Sequence, residues 1–82
     1  MEQLFDQKAE EVQGLPSCSN ENKLKLYGLY KQATVGDNDT SKPSRLNVTA
    51  SKKWNAWNQC KGKGKQEAMQ EYIDLVDQLM KQ

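Results

Sequence analysis

Residues 27–37, YGLYKQATVGD, decide the fold of this 82-residue chain. The apolar side chains in and beside this stretch recur with the spacing of one helix face; they are Leu26, Leu29, Tyr30 and Ala33. Ser19 or Asn20 can cap such a helix at its start, and the Gly36-Asp37-Asn38-Asp39 cluster ends it. The pattern predicts a helix over residues 20–35.

The rest of the chain repeats this periodicity in three segments and shows the alternation of a β-strand in none. We expect helices over residues 3–14, ended by Gly14 and Pro16, over residues 49–60, and after an N-cap at Gly64. Their apolar stripes are Phe5, Ala9 and Val12; Ala50, Trp54 and Trp57; and Met69, Tyr72, Ile73, Val76, Leu79 and Met80. Because single helices of this length are marginal in water, the stripes must face one another, which predicts an all-α four-helix bundle.

The segment between the second and third helices is polar and contains Pro43. We expect it to be too polar to pack and long enough to run the length of the bundle. The third helix can then begin at the opposite end. Trp54 and Trp57 of that helix are expected in the core.

Charge is distributed unevenly along the chain, although the net charge is only +1. No acidic residue lies between Asp39 and Glu67, whereas seven basic residues do: Lys42, Arg45, Lys52, Lys53, Lys61, Lys63 and Lys65. This segment either docks an anionic partner or is a solvated face balanced by its acidic flanks.

The residues that most enzymes use are scarce. The chain has no histidine, no Gly-rich phosphate loop and no nucleophile turn. Cys18 and Cys60 lack the spacing of a metal site and are expected to be free thiols in a reducing compartment. With neither a signal peptide nor an apolar run long enough to span a bilayer, we expect a cytoplasmic, non-enzymatic protein without metal or cofactor.

One group of side chains has the chemistry of a binding site. Tyr27, Tyr30 and Lys31 lie at i, i+3 and i+4, so they share one helix face. Two interpretations remain open: tyrosines of the core beside a lysine whose stem packs on them, or phenol rings and an ammonium group for a nucleotide. Gly28 in the same helix fits either close helix contact or ligand approach. Lys53 can face the same anion.

Three strings together resemble the acyl-CoA-binding protein (diazepam-binding inhibitor-like) family: YGLYKQATVGD at 27–37, KWNAW at 53–57 and EAMQEYI at 67–73. The resemblance covers nearly the whole chain. It implies a single acyl-CoA-binding domain over residues 1–82, with an up-down-down-up bundle. It also implies high-affinity binding of medium- and long-chain fatty acyl-CoA esters by an intracellular carrier and pool former.

The resemblance further implies the site residues. The adenine and phosphates are expected on Tyr27, Tyr30, Lys31 and Lys53, and Tyr72 completes the headgroup pocket. Further expected site residues are Ala9, Gln13, Leu24, Gly28 and Leu29, of which Ala9 and Leu24 match positions along the fatty chain. Implied partners are acyl-CoA and the enzymes that make or use it, for a monomer without a nucleic-acid partner or a membrane span.

The chain departs from the family pattern at a few positions. Gln13 stands where many members carry a lysine, which removes one positive charge near the headgroup. Lys23 replaces an apolar residue beside Leu24, and Ser44, Asn47 and Val48 differ from the usual loop. We expect these changes to affect headgroup affinity and acyl-chain preference.

Two other functions are compatible with the sequence alone. A nucleic-acid-binding module would use the basic segment, but the nearly balanced net charge argues against it. A thiol enzyme acting on acyl thioesters would use Cys18 or Cys60, but no base partner is available.

Overall fold

The computed structural model describes residues 1–15 and 18–81 and contains four helices over these residues. They are α1 (Glu2–Val12), α2 (Asn20–Thr34), α3 (Val48–Asn58) and α4 (Lys65–Met80). No β-strand occurs in the described residues, so the predicted all-α class is confirmed. Pro16, which was expected to mark the end of the first helix, lies outside these residues.

The helix starts follow ordinary capping chemistry. Ser19 rather than Asn20 caps α2, because its Oγ accepts a hydrogen bond of 3.1 Å from the Asn22 N–H. The Asn47 side chain caps α3 in the same way, with its Oδ1 3.1 Å from the Ala50 nitrogen. Gly64 is the N-cap of α4, as predicted.

Two helices end earlier than their apolar patterns predicted. After α1, the N–H groups of Gln13 and Gly14 donate to carbonyls three residues back, which tightens the last turn. After α3, the Cys60 N–H likewise donates to the Trp57 carbonyl at 2.9 Å. Hydrogen bonds from an N–H to the carbonyl three residues earlier, as in a 3₁₀-helix, satisfy the terminal carbonyls but end the α-helix.

Contacts between side chains give the direction of each helix. Phe5 and Lys8 of α1 meet Tyr72 and Asp77 of α4 in the same order, so these two helices are parallel. Tyr30 of α2 lies beside Tyr72 of α4. Further along α2, residues 33 and 34 line a pocket with residues 65 and 66, at the start of α4. Later residues of α2 thus meet earlier residues of α4, so the two helices are antiparallel. The α3 helix is parallel to α2, because residues 53 and 57 meet residues 27 and 31. The predicted up-down-down-up topology is therefore confirmed.

The core lies between α1, α2 and α4. Its buried side chains are Phe5, Leu26, Leu29, Ala33, Cys60, Ala68, Met69, Tyr72, Ile73, Val76 and Leu79. Met80, which was assigned to the α4 stripe, is exposed, because it ends the helix one position beyond the buried Leu79. Among the described helices, α3 packs against α2 alone, and hydrogen bonds from its two tryptophans to the segment after α2 also hold it.

The contact between α2 and α3 requires a glycine at position 28. A Cβ on Gly28 would lie 2.4 Å from the Ala56 carbonyl oxygen and 3.2 Å from the Trp57 nitrogen. Of the two explanations that the sequence left open for Gly28, close helix contact is confirmed.

The two tryptophans of α3 have different environments. Trp57 is buried, and its Nε1 donates to the Gly36 carbonyl at 2.8 Å. Trp54 is only partly buried, and its Nε1 donates to the Thr40 carbonyl at 3.1 Å. The expectation that both would be core residues was wrong for Trp54, which holds the preceding loop instead.

That loop is also more tightly packed than expected. Asn38 is 3% exposed, and its Oδ1 accepts hydrogen bonds from the Thr40 N–H at 2.9 Å and the Thr40 hydroxyl at 2.6 Å. The expectation that the segment was too polar to pack was therefore wrong for Asn38, whereas residues 39–42 and 44–47 are exposed. A polar side chain is readily buried when its hydrogen bonds are satisfied.

Candidate functional site

The residues predicted to bind the headgroup lie on three adjacent helices. Tyr27, Tyr30 and Lys31 are on α2, Lys53 is on α3 beside Tyr27, and Tyr72 is on α4 beside Tyr30. We call these five residues the tyrosine–lysine surface. Its α2 members lie on the same helix face, as their spacing predicted.

Aromatic rings support both lysines of this surface. The Nζ of Lys53 lies 5.5 Å from the centroid of the Tyr27 ring, and the Nζ of Lys31 lies 5.0 Å from that of Trp57. Both distances are in the range of cation–π attraction. In the described part of the chain, neither lysine belongs to an ion pair. The two ammonium groups thus keep their capacity for an anionic ligand.

On the α4 side, Phe5 packs against two tyrosines of the surface, Tyr30 and Tyr72. Phe5 stacks on Tyr30 at 5.5 Å between centroids and meets the edge of Tyr72 at 5.0 Å, and the two tyrosines are 6.1 Å apart. Such geometry stabilises aromatic pairs beyond the area they bury. Tyr30 is nevertheless 42% exposed, although it belongs to the apolar stripe of α2, so its ring is accessible to a ligand.

Tyr72 differs from Tyr30 because it is almost fully buried, with 4% of its surface exposed. Burial raises the pKa of the Tyr72 hydroxyl, and the neighbouring Tyr30 raises it further. The phenol is therefore neutral at physiological pH and can donate a hydrogen bond. Phenol side chains and two ammonium groups suit a ligand that combines a flat ring with phosphates.

The C-terminal end of α2 is held by a buried hydrogen-bond network. The Gln32 side chain is 1% exposed, and its Nε2 donates to Asp37 Oδ1 and to the Lys63 carbonyl, both at 2.8 Å. The N–H of Gly62 also donates to Asp37 Oδ1, at 2.9 Å. Both hydrogen bonds lower the pKa of Asp37, and the one from Gly62 has the larger effect. The network connects α2, next to Lys31, to the turn that precedes α4.

Two of the other predicted site residues, Leu24 and Leu29, line a groove that does not include the tyrosine–lysine surface. This groove, which we call the α3–α4 groove, has a volume of about 680 Å³ and opens where α3 and α4 do not touch. Its remaining apolar lining comes from Ala56, Cys60 and Leu75.

The polar edge of the α3–α4 groove is already internally paired. Lys63 Nζ lies 2.7 Å from Glu71 Oε1, and this hydrogen bond raises the pKa of Lys63. Cys60 is a free thiol, as predicted, and burial raises its pKa, so it is a weak nucleophile. An anionic headgroup finds fewer unpaired cations here than on the tyrosine–lysine surface.

The other predicted residues have different positions. Ala9 is partly buried and packs against the core, Gln13 is exposed just after α1, and Gly28 lies at the α2–α3 contact. Ala9 does not line the α3–α4 groove with Leu24, so the two proposed acyl-chain residues do not meet there.

Sequence reasoning missed three residues that build the site: Phe5 beneath Tyr30, Trp57 beneath Lys31, and Gln32 behind them. The apolar periodicity identified Phe5 and Trp57 as core residues, but their ring contacts join different helices. Gln32 gave no signal, because a glutamine next to an exposed lysine is ordinarily a surface residue.

No helix in residues 1–15 and 18–81 has both the length and the apolar character needed to cross a membrane.

Comparison with known proteins relates the chain to one family throughout its length. The family model described as acyl CoA binding protein matches residues 2–76. The acyl-CoA-binding protein of Saccharomyces cerevisiae is 53% identical over 79 residues, which cover 95% of this chain and 91% of the yeast protein.

Solved structures agree with this relationship. The crystal structure of Oryza sativa acyl-CoA-binding protein 2 matches with a TM-score of 0.95 and 48% identity, over 98% of this chain and 88% of the rice chain. That of ACBP from Moniliophthora perniciosa matches with a TM-score of 0.92 and 34% identity, over 99% of this chain and 81% of the fungal chain. Sequence strings, helix topology and close relatives together place this chain in the acyl-CoA-binding protein family.

Proposed function

We propose that this protein binds fatty acyl-CoA esters and holds their headgroup on the tyrosine–lysine surface. The observation that carries the proposal is the position of Lys31 and Lys53. Their ammonium groups lie over the rings of Trp57 and Tyr27, and the ring of Tyr30, next to Lys31 in the chain, is accessible. Adenine can stack on a tyrosine ring, and the ribose phosphate and the diphosphate can accept hydrogen bonds from the lysines.

The other predicted residues have supporting roles in this proposal. Gly28 and Leu29 hold α2 against its neighbours, and Gln13 flanks the headgroup without contributing a charge. The acyl chain contacts Ala9 and Leu24.

The acyl chain supplies much of the affinity and makes it depend on chain length. Each buried methylene contributes about 0.8 kcal/mol. Roughly ten buried methylenes give about 8 kcal/mol before the cost of ordering the ligand. Medium- and long-chain esters should therefore bind with high affinity, whereas CoA alone binds weakly.

The biological role that fits such a site is that of a carrier. We propose a monomeric, cytoplasmic protein, with one domain over residues 1–82, that buffers a pool of acyl-CoA. It exchanges the ligand with enzymes that make or consume it and does not catalyse a reaction. Tyrosine rings, lysines and a buried thiol of raised pKa offer reversible contacts but no activated nucleophile.

Titration calorimetry with CoA and with acyl-CoA esters of increasing chain length tests the proposal. We expect the affinity to rise steeply with chain length, as each additional methylene becomes buried. Equal affinities for CoA and palmitoyl-CoA would contradict the carrier function. A matched titration with palmitate, which has the chain but no headgroup, should show much weaker binding.

A further inference from the structure

The turn before α3 exposes an apolar side chain that no part of the described chain covers. Leu46 is 94% exposed, and Val48, two residues later, is 57% exposed. The other exposed large apolar residues that the structure describes are at most 53% exposed. Single exposed leucines are ordinary on protein surfaces, so the surroundings of Leu46 decide whether its exposure has a meaning.

Hydrogen bonds fix the turn so that Leu46 points away from the protein. The Asn47 N–H donates to the Ser44 carbonyl at 3.0 Å, which closes a turn with Arg45 and Leu46 at its centre. The Ser44 hydroxyl accepts from the Leu46 N–H at 3.2 Å, and the Ser51 hydroxyl donates to the Ser44 carbonyl at 3.2 Å. The turn is thereby connected to both ends of the first helical turn of α3, and Leu46 is held in its exposed position.

Basic residues flank this leucine along the chain. Lys42, Arg45 and Lys52 are all exposed, and none of them belongs to an ion pair among residues 1–15 and 18–81. The nearest acidic residues along the chain are Asp39 and Glu67. We call residues 42–52 the basic turn.

We propose that the basic turn docks the protein on anionic lipid bilayers, with Leu46 and Val48 inserted among the lipid headgroups. Two signals, an apolar insertion and a basic cluster, are what reversible attachment to a membrane surface requires. This docking goes beyond acyl-CoA binding and does not depend on it, because no residue of the basic turn belongs to the tyrosine–lysine surface.

The chemistry of the turn favours a bilayer over other anionic partners. A nucleic acid would use the basic side chains but has no use for a leucine held away from the protein. A stable protein partner needs about 800 Å² of surface on each side, which one turn with two apolar side chains does not supply. A bilayer accepts a small apolar tip and attracts each surrounding charge separately.

Flotation of the protein with lipid vesicles tests the proposal. The parent protein should bind vesicles of equimolar phosphatidylcholine and phosphatidylglycerol, bind pure phosphatidylcholine poorly, and dissociate as salt is added. Leu46→Gln should weaken binding to the anionic vesicles about tenfold. The double variant Arg45→Gln/Lys52→Gln should weaken it by about 25-fold, or about fivefold for each lost charge.

Leu4→Gln is the matched control, because Leu4 is an exposed leucine on the acidic helix α1. It should bind the vesicles as the parent does. All variants change exposed side chains and should keep the parent's melting temperature and its affinity for palmitoyl-CoA, so a failure of docking is distinguishable from a failure of ligand binding.

Three results would overturn the proposal. The first is failure of the parent to float with anionic vesicles at low salt, and the second is binding of Leu46→Gln to these vesicles as tightly as the parent. The third is equally tight binding of the parent and Leu46→Gln to single-stranded RNA, together with weaker binding to vesicles, which would make the turn a general polyanion site.

Discussion

Replacing Gly28 by alanine tests the contact that positions α3. The added Cβ would lie 2.4 Å from the Ala56 carbonyl oxygen and 2.8 Å from its carbon, and both are backbone atoms that no side-chain rotation can move. Ordinary contact begins near 3.4 Å. The two helices must therefore separate by about 1 Å over a contact of close-packed atoms.

Two opposing effects determine the free-energy change. Alanine gains about 1 kcal/mol over glycine in a helix interior, whereas overpacking a tight contact costs about 1–3 kcal/mol. Because α2 is the only helix that α3 contacts among the described residues, no other contact between helices compensates for the separation. We therefore expect an overpacking cost of about 3 kcal/mol, which the alanine propensity reduces to a net destabilisation of about 2 kcal/mol. The melting temperature should fall by roughly 10 °C for a domain of this size.

Urea denaturation followed by far-ultraviolet circular dichroism measures this change. Gly14→Ala is the control, since a Cβ at Gly14 would meet only the Glu11 carbonyl oxygen, at an ordinary 3.5 Å; its stability should change by less than about 0.5 kcal/mol. Gly28→Ala should also weaken palmitoyl-CoA binding, because Lys53 moves away from Tyr27. A Gly28→Ala protein as stable as the parent, or more stable, would refute the close-contact explanation.

Three further predictions follow from the site and its support. Lys31→Ala and Lys53→Ala should each weaken palmitoyl-CoA binding at least tenfold without changing the urea midpoint; unchanged affinity in both variants would contradict the assigned headgroup contacts. Trp57→Ala should cost about 3–5 kcal/mol in urea denaturation and Trp54→Ala clearly less, because only Trp57 is buried; the reverse order would be inconsistent with the packing of α3. Asp37→Asn should lower the free energy of unfolding at neutral pH, because the folded protein lowers the pKa of Asp37 from its ordinary 3.8 and so stabilises the carboxylate. The difference in stability between parent and variant should disappear as the pH falls through the folded-state pKa. A difference that persists in strong acid would rule out the carboxylate charge as its cause.

The sequence predicted the helices because apolar spacing and capping residues act locally. Leu26, Leu29 and Ala33 recur at helical spacing and are buried together, and Gly64 caps α4 as its position suggested. The topology came from the resemblance, with support from the length of the polar loop. The predicted helix ends were less accurate, because the 3₁₀-type hydrogen bonds after Val12 and Asn58 cannot be recognised from the pattern of apolar residues.

What the sequence did not predict depends on contacts between helices. Helical spacing placed Trp54 and Trp57 in one stripe, but only the structure shows that Trp54 meets the loop at Thr40. The burial of Asn38 and Gln32 was equally invisible, because apolar spacing carries no information on the hydrogen bonds that Asn38 accepts from Thr40 and that the Gln32 Nε2 donates to the distant Lys63 carbonyl. For the site, spacing brought Tyr27, Tyr30 and Lys31 together and suggested that Lys53 faces the same anion, whereas the position of Tyr72 could be inferred only from the family resemblance.

The most direct test of the central claim is to locate the adenine ring of bound palmitoyl-CoA. Intermolecular nuclear Overhauser effects, measured on isotope-labelled protein with unlabelled ligand, give that position without any mutation. We predict contacts from the adenine protons to the rings of Tyr27 and Tyr30. Contacts to Leu75 and Ala56, which would put the headgroup in the α3–α4 groove, would contradict the account.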